Sequence, residues 1–327
     1  GVGDETIGTC IQRINDDGTT AWEEPYRWSP EMVQPQIVPS LDGDFLLFDA
    51  CPSGARVHRL NRNLEERWGE PVIYDEYKYD GHALNAYKLA SDGNGGACVA
   101  FVRGMGMFTH NIRVQHINED GSLGFGLTGL DAANTEDNDY DYCNIAANPQ
   151  THEILVDFES QLPSTYDVML QKFSFDGDYL FDELGLSIAN KNRATSSYAF
   201  GSVGCGALPG GDWIVVYRDV QNYVNASFVI RRYDSTGKRV WTRTIGRELD
   251  PDDTSLFVED EAVYLFYRET RSNKEPGIKI FRIGTDGEYD VTYDEPDAIG
   301  HLEQQMAGST RYFSPDGRQH AQPQHES

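Results

Sequence analysis

Basic residues are scarce in this sequence: 27 Lys and Arg stand against 53 Asp and Glu, which gives a formal net charge of -26. A surface this negative repels phosphate backbones and anionic lipid headgroups. The charge therefore argues against nucleic acid as a partner. It leaves cations, neutral sugars and basic proteins as candidates.

Long apolar segments are also absent. The longest runs extend over roughly six residues, as at 262–267, whereas a membrane-spanning helix needs roughly 18 or more. We therefore expect no transmembrane segment. No stretch sustains an apolar period of 3.6 residues either, so helices should be few.

Recognisable catalytic and metal-binding motifs are missing as well. The sequence has no His-Glu-x-x-His and no Gly-x-Ser-x-Gly motif, and its 8 His show no ligand spacing. Its 5 Cys include no Cys-x-x-Cys pair, and their strand-like surroundings favour buried free thiols. No motif therefore favours enzymatic activity, and the sequence leaves the question of enzymatic activity undecided.

What the sequence does contain is a repeat. It reads apolar-x-x-apolar-x-x-x-Gly-x-x-x-aromatic, as in the segment from Ile11 to Trp22. The turn position of the six copies is held by Gly18, Leu64, Gly121, Gly177, Gly237 and Gly287, and the last position by Trp22, Trp68, Phe125, Phe181, Trp241 and Val291. Copies that lie 46 to 60 residues apart are typical of propellers and solenoids.

Each copy predicts a strand, a tight turn and a second strand, because Gly tolerates the positive φ that such a turn needs. Two further strands precede each copy, which makes the four strands of a propeller blade. We therefore predict an all-β, six-bladed β-propeller that forms a single domain over 1–327. The blades extend roughly over 34–68, 84–125, 143–181, 198–241 and 254–291, and the last blade combines 302–327 with the N-terminal strands of 5–22. The final aromatic of each copy should wedge between neighbouring blades.

The segments Ile11 to Trp22 and Tyr233 to Trp241 resemble the tryptophan-docking repeats of quinoprotein-like propellers. They are more similar still to the repeats of secreted six-bladed propeller proteins of Bacteroidetes, many of them uncharacterised. The likeness extends over all six copies and departs from the pattern at Leu64 and Val291. It implies the fold and an extracellular, periplasmic or surface-attached location, with any signal or lipid anchor outside this chain. It implies no catalytic residues, because the docking motif belongs to the scaffold.

Ligand-binding residues are expected on the face opposite the Gly turns. Connections there look long and rich in Tyr and acid, at 69–83, 126–142 and 23–32, and binding residues concentrate on such loops. Aromatic faces beside carboxylates suit sugar rings. The candidate ligand-binding residues are Trp28, Asp49, Tyr77, Tyr79, Tyr140, Glu159, Arg218 and Arg268. A solvated acidic surface, with the charges at the strand ends paired in salt bridges, is the alternative.

Four of those residues come from an alignment of the second strands. Asp49, Glu159, Arg218 and Arg268 each follow an aromatic residue that we align between blades. The residue before that aromatic is apolar in four blades and Asp157 in the third. A buried carboxyl group must be paired, hydrogen-bonded or protonated, so Asp157 is expected to be structural, with a catalytic acid as the alternative.

A calcium site is a further possibility. The segment 136–141 offers several oxygen ligands, and we take Asp137, Asp139 and Asp141 as candidate calcium ligands. The Gly and the terminal Glu of an EF-hand loop are absent. A purely acidic loop is the alternative.

These features predict an extracytoplasmic binding or interaction module for a glycan or a protein partner. The alternative is a carbohydrate-active enzyme of the glycoside hydrolase or lyase type. It would use carboxylates on the same face, with Asp49 and Glu159 as the pair. A structural role within a larger envelope complex is a third reading.

Overall fold

Antiparallel strands account for nearly all the regular structure. The structure is a computed structural model, and it describes residues 9–29, 33–51, 54–75, 87–106, 109–133, 139–161, 164–195, 200–222, 225–249, 251–269, 277–288, 312–313 and 319–320. These residues contain no α-helix, as predicted. No described helix is long and apolar enough to cross a membrane.

The chain divides into two compact units, one formed by Gly1–Met32 with Asp294–Ser327 and the other by Val33–Tyr293. In the first unit β1 (Thr9–Ile11) pairs with β2 (Tyr26–Ser29). The larger unit contains the blades.

Blades 1 to 5 are antiparallel sheets whose strands follow one another in chain order. Blade 1 consists of β3 (Val33–Pro39), β4 (Phe45–Cys51), β5 (Gly54–Leu60) and β6 (Val72–Asp75). Blade 2 consists of β7 (Lys88–Ser91), β8 (Ala97–Gly106), β9 (Thr109–Ile117) and β10 (Leu130–Asp131). Blade 3 consists of β11 (Asp139–Asn148), β12 (Glu153–Gln161), β13 (Thr165–Ser174) and β14 (Leu186–Asn192).

Blade 4 consists of β15 (Phe200–Ala207), β16 (Trp213–Asn222), β17 (Asn225–Tyr233) and β18 (Arg239–Leu249). Blade 5 has three described strands, β19 (Pro251–Val258), β20 (Ala262–Glu269) and β21 (Gly277–Gly284). The first strands of consecutive blades contact one another, so they are the innermost strands of this propeller.

The expectation of six blades is wrong, because the described residues form five. Within the described residues, the segments assigned to the sixth blade contribute to two separate two-stranded pairs. In the described residues β1 pairs with β2, and β22 (Tyr312–Phe313) pairs with β23 (Gln319–His320). The repeat at 11–22 therefore corresponds to a strand-turn-strand unit and not to a complete blade.

The turns of the repeat are confirmed in all six copies. In each copy the amide of the turn residue donates to the carbonyl three residues earlier, as Gly121 does to Asn118. The turn residue has a positive φ in every copy, between 67° at Leu64 and 94° at Gly177. Leu64 thus adopts a left-handed conformation that glycine adopts without steric cost.

In blades 1 to 4 the aromatic residue of the repeat packs on the turn glycine of the next blade, as predicted for these copies. Trp68 packs on Gly121, and its indole Nε1 donates to the carbonyl of Glu119 at 2.9 Å. Trp241 packs on Gly287 in the same way and donates to Thr285 at 3.0 Å. Both indoles are only half-buried.

A second inter-blade contact was not visible in the sequence. The third residue of the repeat is a basic side chain that pairs with an acid near the start of the second strand of its own blade. The pairs are Arg59 with Asp44, His116 with Asp92, Lys172 with Glu153 and Arg232 with Asp212. His116, Lys172 and Arg232 also bond the carbonyls of Phe175, Ser235 and Thr285 in the next blade. We call these four residues the inter-blade basic residues.

The face opposite the turns is built differently from the prediction. The second and third strands are joined by only two or three residues in blades 1 to 4, because the strands extend further than the sequence indicated. The segments taken as long loops also contain strands, namely β2, β6, β10 and the start of β11. Longer connections remain between blades 1 and 2, 2 and 3, and 3 and 4.

Candidate functional site

The strand register corrects one position of the predicted site. In blade 3 the aligned aromatic Phe158 pairs with Met169, the residue before the first apolar residue of the repeat. In blade 1 the aligned aromatic Phe48 pairs instead with Val57, the first apolar residue of that blade's repeat. Asp49 therefore occupies the strand position that Phe158 has in blade 3. Consecutive residues of a strand point to opposite faces. Asp49 therefore does not belong to the column predicted for it.

Polar side chains meet at the boundary between blades 3 and 4. Asp157 on β12 is 0% exposed. Asn144 on β11 donates through Nδ2 to Asp157 Oδ2 at 3.2 Å and to Ser202 Oγ on β15 at 2.7 Å. The Ser202 hydroxyl also bonds Asp157 Oδ2 directly. Asp157 is therefore held by both innermost strands of the two blades.

The environment of Asp157 disfavours its charged form. Burial raises the pKa of its carboxyl group, and the hydrogen bonds of Ser202, Cys205 and Asn144 with the charge of Lys88 offset this only in part. Its Oδ1 atom is buried and has no nitrogen or oxygen donor among the described residues. The expected structural role of Asp157 agrees with these contacts.

Glu159 lies two residues further along β12, on the same face of the strand and toward the end remote from the Gly turns. It is 6% exposed, and its Oε1 accepts the backbone amide of Ser202 at 2.5 Å. We define the inter-blade polar cluster as Asn144, Asp157, Glu159 and Ser202. It combines two carboxyl groups, an amide and a hydroxyl at one boundary.

Two irregular strand positions flank this cluster. The pairing of β11 with β12 shifts between Asp141 and Cys143, so that Tyr142 is an extra residue opposite the Phe158–Glu159 step. The pairing of β15 with β16 shifts between Ser202 and Gly204. β-Bulges of this kind are enriched next to active sites, where they redirect a side chain.

Tyr142 is unusual in its backbone as well as in its exposure. Its φ is 47°, and it is the one described non-glycine residue with positive φ that lies within a strand. Its side chain is 59% exposed. Left-handed backbone is unfavourable for a bulky residue and persists where the surrounding structure enforces it, often at functional sites.

The structure does not bring the other predicted charges into the cluster. Arg218 packs its guanidinium on Gly201, whereas Glu159 contacts the next residue, Ser202. Because neighbouring residues of β15 point to opposite faces and the Ser202 hydroxyl bonds Asp157, Arg218 and Asp157 approach this strand from opposite sides. Arg268 is exposed on blade 5. Trp28 lies in the smaller unit, half-buried beside Tyr26 with 6.3 Å between ring centroids.

Several predicted residues fall outside the described part of the chain. Tyr77, Tyr79 and Asp137 are among them, as are the side chains of Asp49, Tyr140, Asp139 and Asp141. The described residues contain no group of three or more His, Cys, Asp or Glu that could hold a metal ion. The calcium ligands therefore stay a prediction.

The sequence analysis missed three members of the site. Asn144 and Ser202 carry no motif, and only the packing of blade 3 on blade 4 brings them to Asp157. Tyr142 stood in an aromatic, acidic segment without being selected. The signal that could have found the cluster was Asp157, a charge at an otherwise apolar strand position.

Comparisons with known proteins assign neither a family nor an activity. No protein family model matches the sequence, and no curated protein matches it. A protein of unknown function from Dyadobacter fermentans is 13% identical, with a TM-score of 0.49, over 81% of this chain and 80% of that one. A thermostable family-43 glycoside hydrolase is 12% identical, with a TM-score of 0.43, over 82% and 95% of the two chains.

A subtype N10 neuraminidase-like protein of influenza A from a little yellow-shouldered bat is 11% identical, with a TM-score of 0.43. The match covers 64% of this chain and spans only 57% of the neuraminidase-like protein.

Proposed function

We propose that the protein is an extracytoplasmic binding module whose ligand is a glycan. The proposed site is the outer end of the boundary between blades 3 and 4, on the face opposite the Gly turns. The observation that carries this proposal is the inter-blade polar cluster beside the strained, exposed Tyr142. The extracytoplasmic location rests on the resemblance to secreted propeller repeats.

The chemistry of the cluster suits a sugar better than an ionic ligand. A sugar ring offers hydroxyl groups that both donate and accept hydrogen bonds, and a C–H face that stacks on aromatic rings. Glu159 supplies an acceptor, and Asn144 and Ser202 supply groups of both kinds. The net charge of -26 further favours a neutral ligand over an anionic one.

Tyr142 is proposed as the stacking residue. Its ring is exposed and its backbone has a left-handed conformation. No described hydrogen bond to the side chain accounts for this backbone conformation. A ligand contact would explain why the chain keeps a bulky residue at a left-handed position. Aromatic residues contribute much of the affinity at many binding surfaces.

The alternative of a glycoside-cleaving enzyme is less well supported by the geometry. Such enzymes need two carboxyl groups that both face the scissile bond. Asp157 has no exposed surface, so Glu159 is the one carboxyl group that the cluster presents to a ligand, and the side chain of Asp49, its predicted partner, lies outside the described residues. Release of reducing sugar that Glu159→Gln abolishes would favour the enzyme over the binding module.

A panel of neutral and acidic glycans, screened with the purified protein, tests the proposal. We expect Tyr142→Ala and Glu159→Gln each to weaken binding of any hit by tenfold or more, which corresponds to about 1.4 kcal/mol. Asp120→Ala and Tyr179→Ala, on the Gly-turn side of blades 2 and 3, are controls that should retain binding. The melting temperature of each variant checks its folding.

Two outcomes would overturn the proposal. One is a folded protein that binds no glycan of the panel, which would favour a protein partner. The other is a glycan hit whose affinity depends on Asp120 or Tyr179 but not on Tyr142 or Glu159.

A further inference from the structure

Asp157 belongs to the inter-blade polar cluster but is fully buried, so it does not itself face a ligand. It stands at a strand position where the structure places Phe48, Ala100 and Val216 in three other blades. Chains keep a carboxyl group in such a place for a reason other than packing, because burying it costs free energy.

The distribution of donors indicates which form of the carboxyl group fits. Both polar neighbours, Asn144 and Ser202, contact Oδ2. No nitrogen or oxygen donor among the described residues reaches Oδ1. A carboxylate would leave half of its charge on an oxygen that no nitrogen or oxygen donor reaches, and the Cys205 thiol is a weak donor, whereas a neutral acid leaves only a carbonyl oxygen there.

The groups around Asp157 do not supply a compensating charge in contact. Lys88 on β7 acts on it through space, Cys143 on β11 is a buried thiol, and Cys205 on β15 is a half-buried thiol that bonds the carboxyl group. Burial raises the pKa of the Cys143 thiol to about 12 and that of Cys205 well above its usual value. Glu159 on β12 is a like charge two residues away.

We infer that Asp157 holds a proton in the folded protein and that this proton fixes the position of Glu159 through Ser202. The same residue, Ser202, bonds Asp157 through its hydroxyl and Glu159 through its amide. Loss of the proton to water places a second buried negative charge near Glu159, and the repulsion acts on Ser202, which bonds both side chains. The bulge after Ser202 permits this residue to shift.

Asp157 is thus a positioning residue, and its effect on ligand binding rests on the proposed function. The protonation of Asp157 is independent of the proposed function. Raising the pH through the titration of Asp157 is expected to loosen the Ser202–Glu159 bond and weaken glycan binding. Lower pH is expected to preserve both.

The first test needs no ligand. The neutral acid has a C=O stretch that is distinct from carboxylate bands, and we expect the infrared spectrum at neutral pH to lose one such band in Asp157→Asn. Asp167→Asn is the matched control. Asp167 is a buried carboxyl group of the same blade, and Thr165 and Ser187 each donate to one of its oxygens.

The second test follows the Ser202 amide by hydrogen exchange. After correction for intrinsic exchange, we expect its protection in the wild type to fall about tenfold for each pH unit above the titration of Asp157. In Asp157→Asn, which mimics the neutral acid, protection should stay constant with pH. Asp167→Asn should behave like the wild type.

Absence of an Asp157-dependent acid band, or identical pH profiles of Ser202 protection in the wild type and Asp157→Asn, would overturn the inference. Failure of the glycan screen would leave these results unchanged. The two proposals can therefore fail separately.

Discussion

The imidazole of His116 lies between the carboxylate of Asp92, 3.2 Å from Nε2, and the carbonyl of Phe175 in the next blade, 3.1 Å from Nδ1. A ring nitrogen needs a hydrogen to bond an acceptor, and an acceptor lies beside each of the two ring nitrogens. Blades 3 and 4 place Lys172 and Arg232 at this position. The interface between blades 2 and 3 thus uses a histidine where its neighbours use permanent cations.

The first prediction is that His116→Gln lowers the melting temperature. The variant loses an ion pair and cannot serve both acceptors, and unmaking a buried hydrogen bond to a charged group costs about 1.5–3 kcal/mol. Thermal unfolding followed by circular dichroism measures the loss. His116→Arg should cost less, because arginine already makes this contact in blade 4. Equal destabilisation by both variants would argue against the contacts of this inter-blade basic residue as the cause of the lost stability.

The second prediction concerns acid. Burial alone would raise the pKa of Asp92, but hydrogen bonds from His116 and from the amides of Asn94 and Gly96 outweigh it and lower this pKa below the usual value. The folded state therefore binds this proton less tightly than the unfolded chain. Its contribution to stability is present above the usual aspartate pKa and is lost as the pH falls through the lowered value.

Denaturant titrations between neutral and acid pH measure this contribution. Asp92→Asn should be less stable than the wild type at neutral pH, and the difference should shrink as the pH falls. A difference that stays constant with pH would contradict the ionic role of Asp92.

The third prediction concerns the docked indoles. Trp68→Ala removes packing on Gly121 and the bond to Glu119, and we expect a loss of about 3 kcal/mol, at the low end for a large aromatic because this indole is half-buried. Trp68→Phe keeps a smaller aromatic ring and loses the N–H bond, which should account for about 1 kcal/mol of its cost. Equilibrium unfolding separates the two terms. Equal losses in both variants would assign the whole effect to the hydrogen bond.

The fourth prediction concerns the connection between blades 1 and 2. Tyr77 and Tyr79 remain predicted stacking residues, and the double change to Ala should weaken a glycan hit by tenfold or more, or about 1.4 kcal/mol. The same titration with a calcium chelator tests Asp137, Asp139 and Asp141. Unchanged affinity in the double variant would remove both tyrosines from the site, and affinity independent of chelation would argue against a calcium requirement.

The sequence by itself determined the blade as a unit. The positive φ of a turn and the wedge of an aromatic are local demands, and both leave a mark at fixed spacing, as at Gly121 and Trp68. The number of blades did not follow from counting these marks. A strand-turn-strand motif becomes a blade only when further strands pair with it, and the copy at 11–22 pairs β1 with β2 instead.

The candidate site was readable only in part. Asp157 stood out in the sequence as the one charge at an otherwise apolar strand position, and Glu159 as one of the charges that follow the aligned aromatic residues. Their partners Asn144 and Ser202 lie 13 and 45 residues from Asp157 in the chain, and no local pattern links such distances. The position of Asp49 was decided by a one-residue difference in register, which reverses the face of a strand. Side-chain proximity across blades is a property of packing, and for that reason only the tertiary structure decided it.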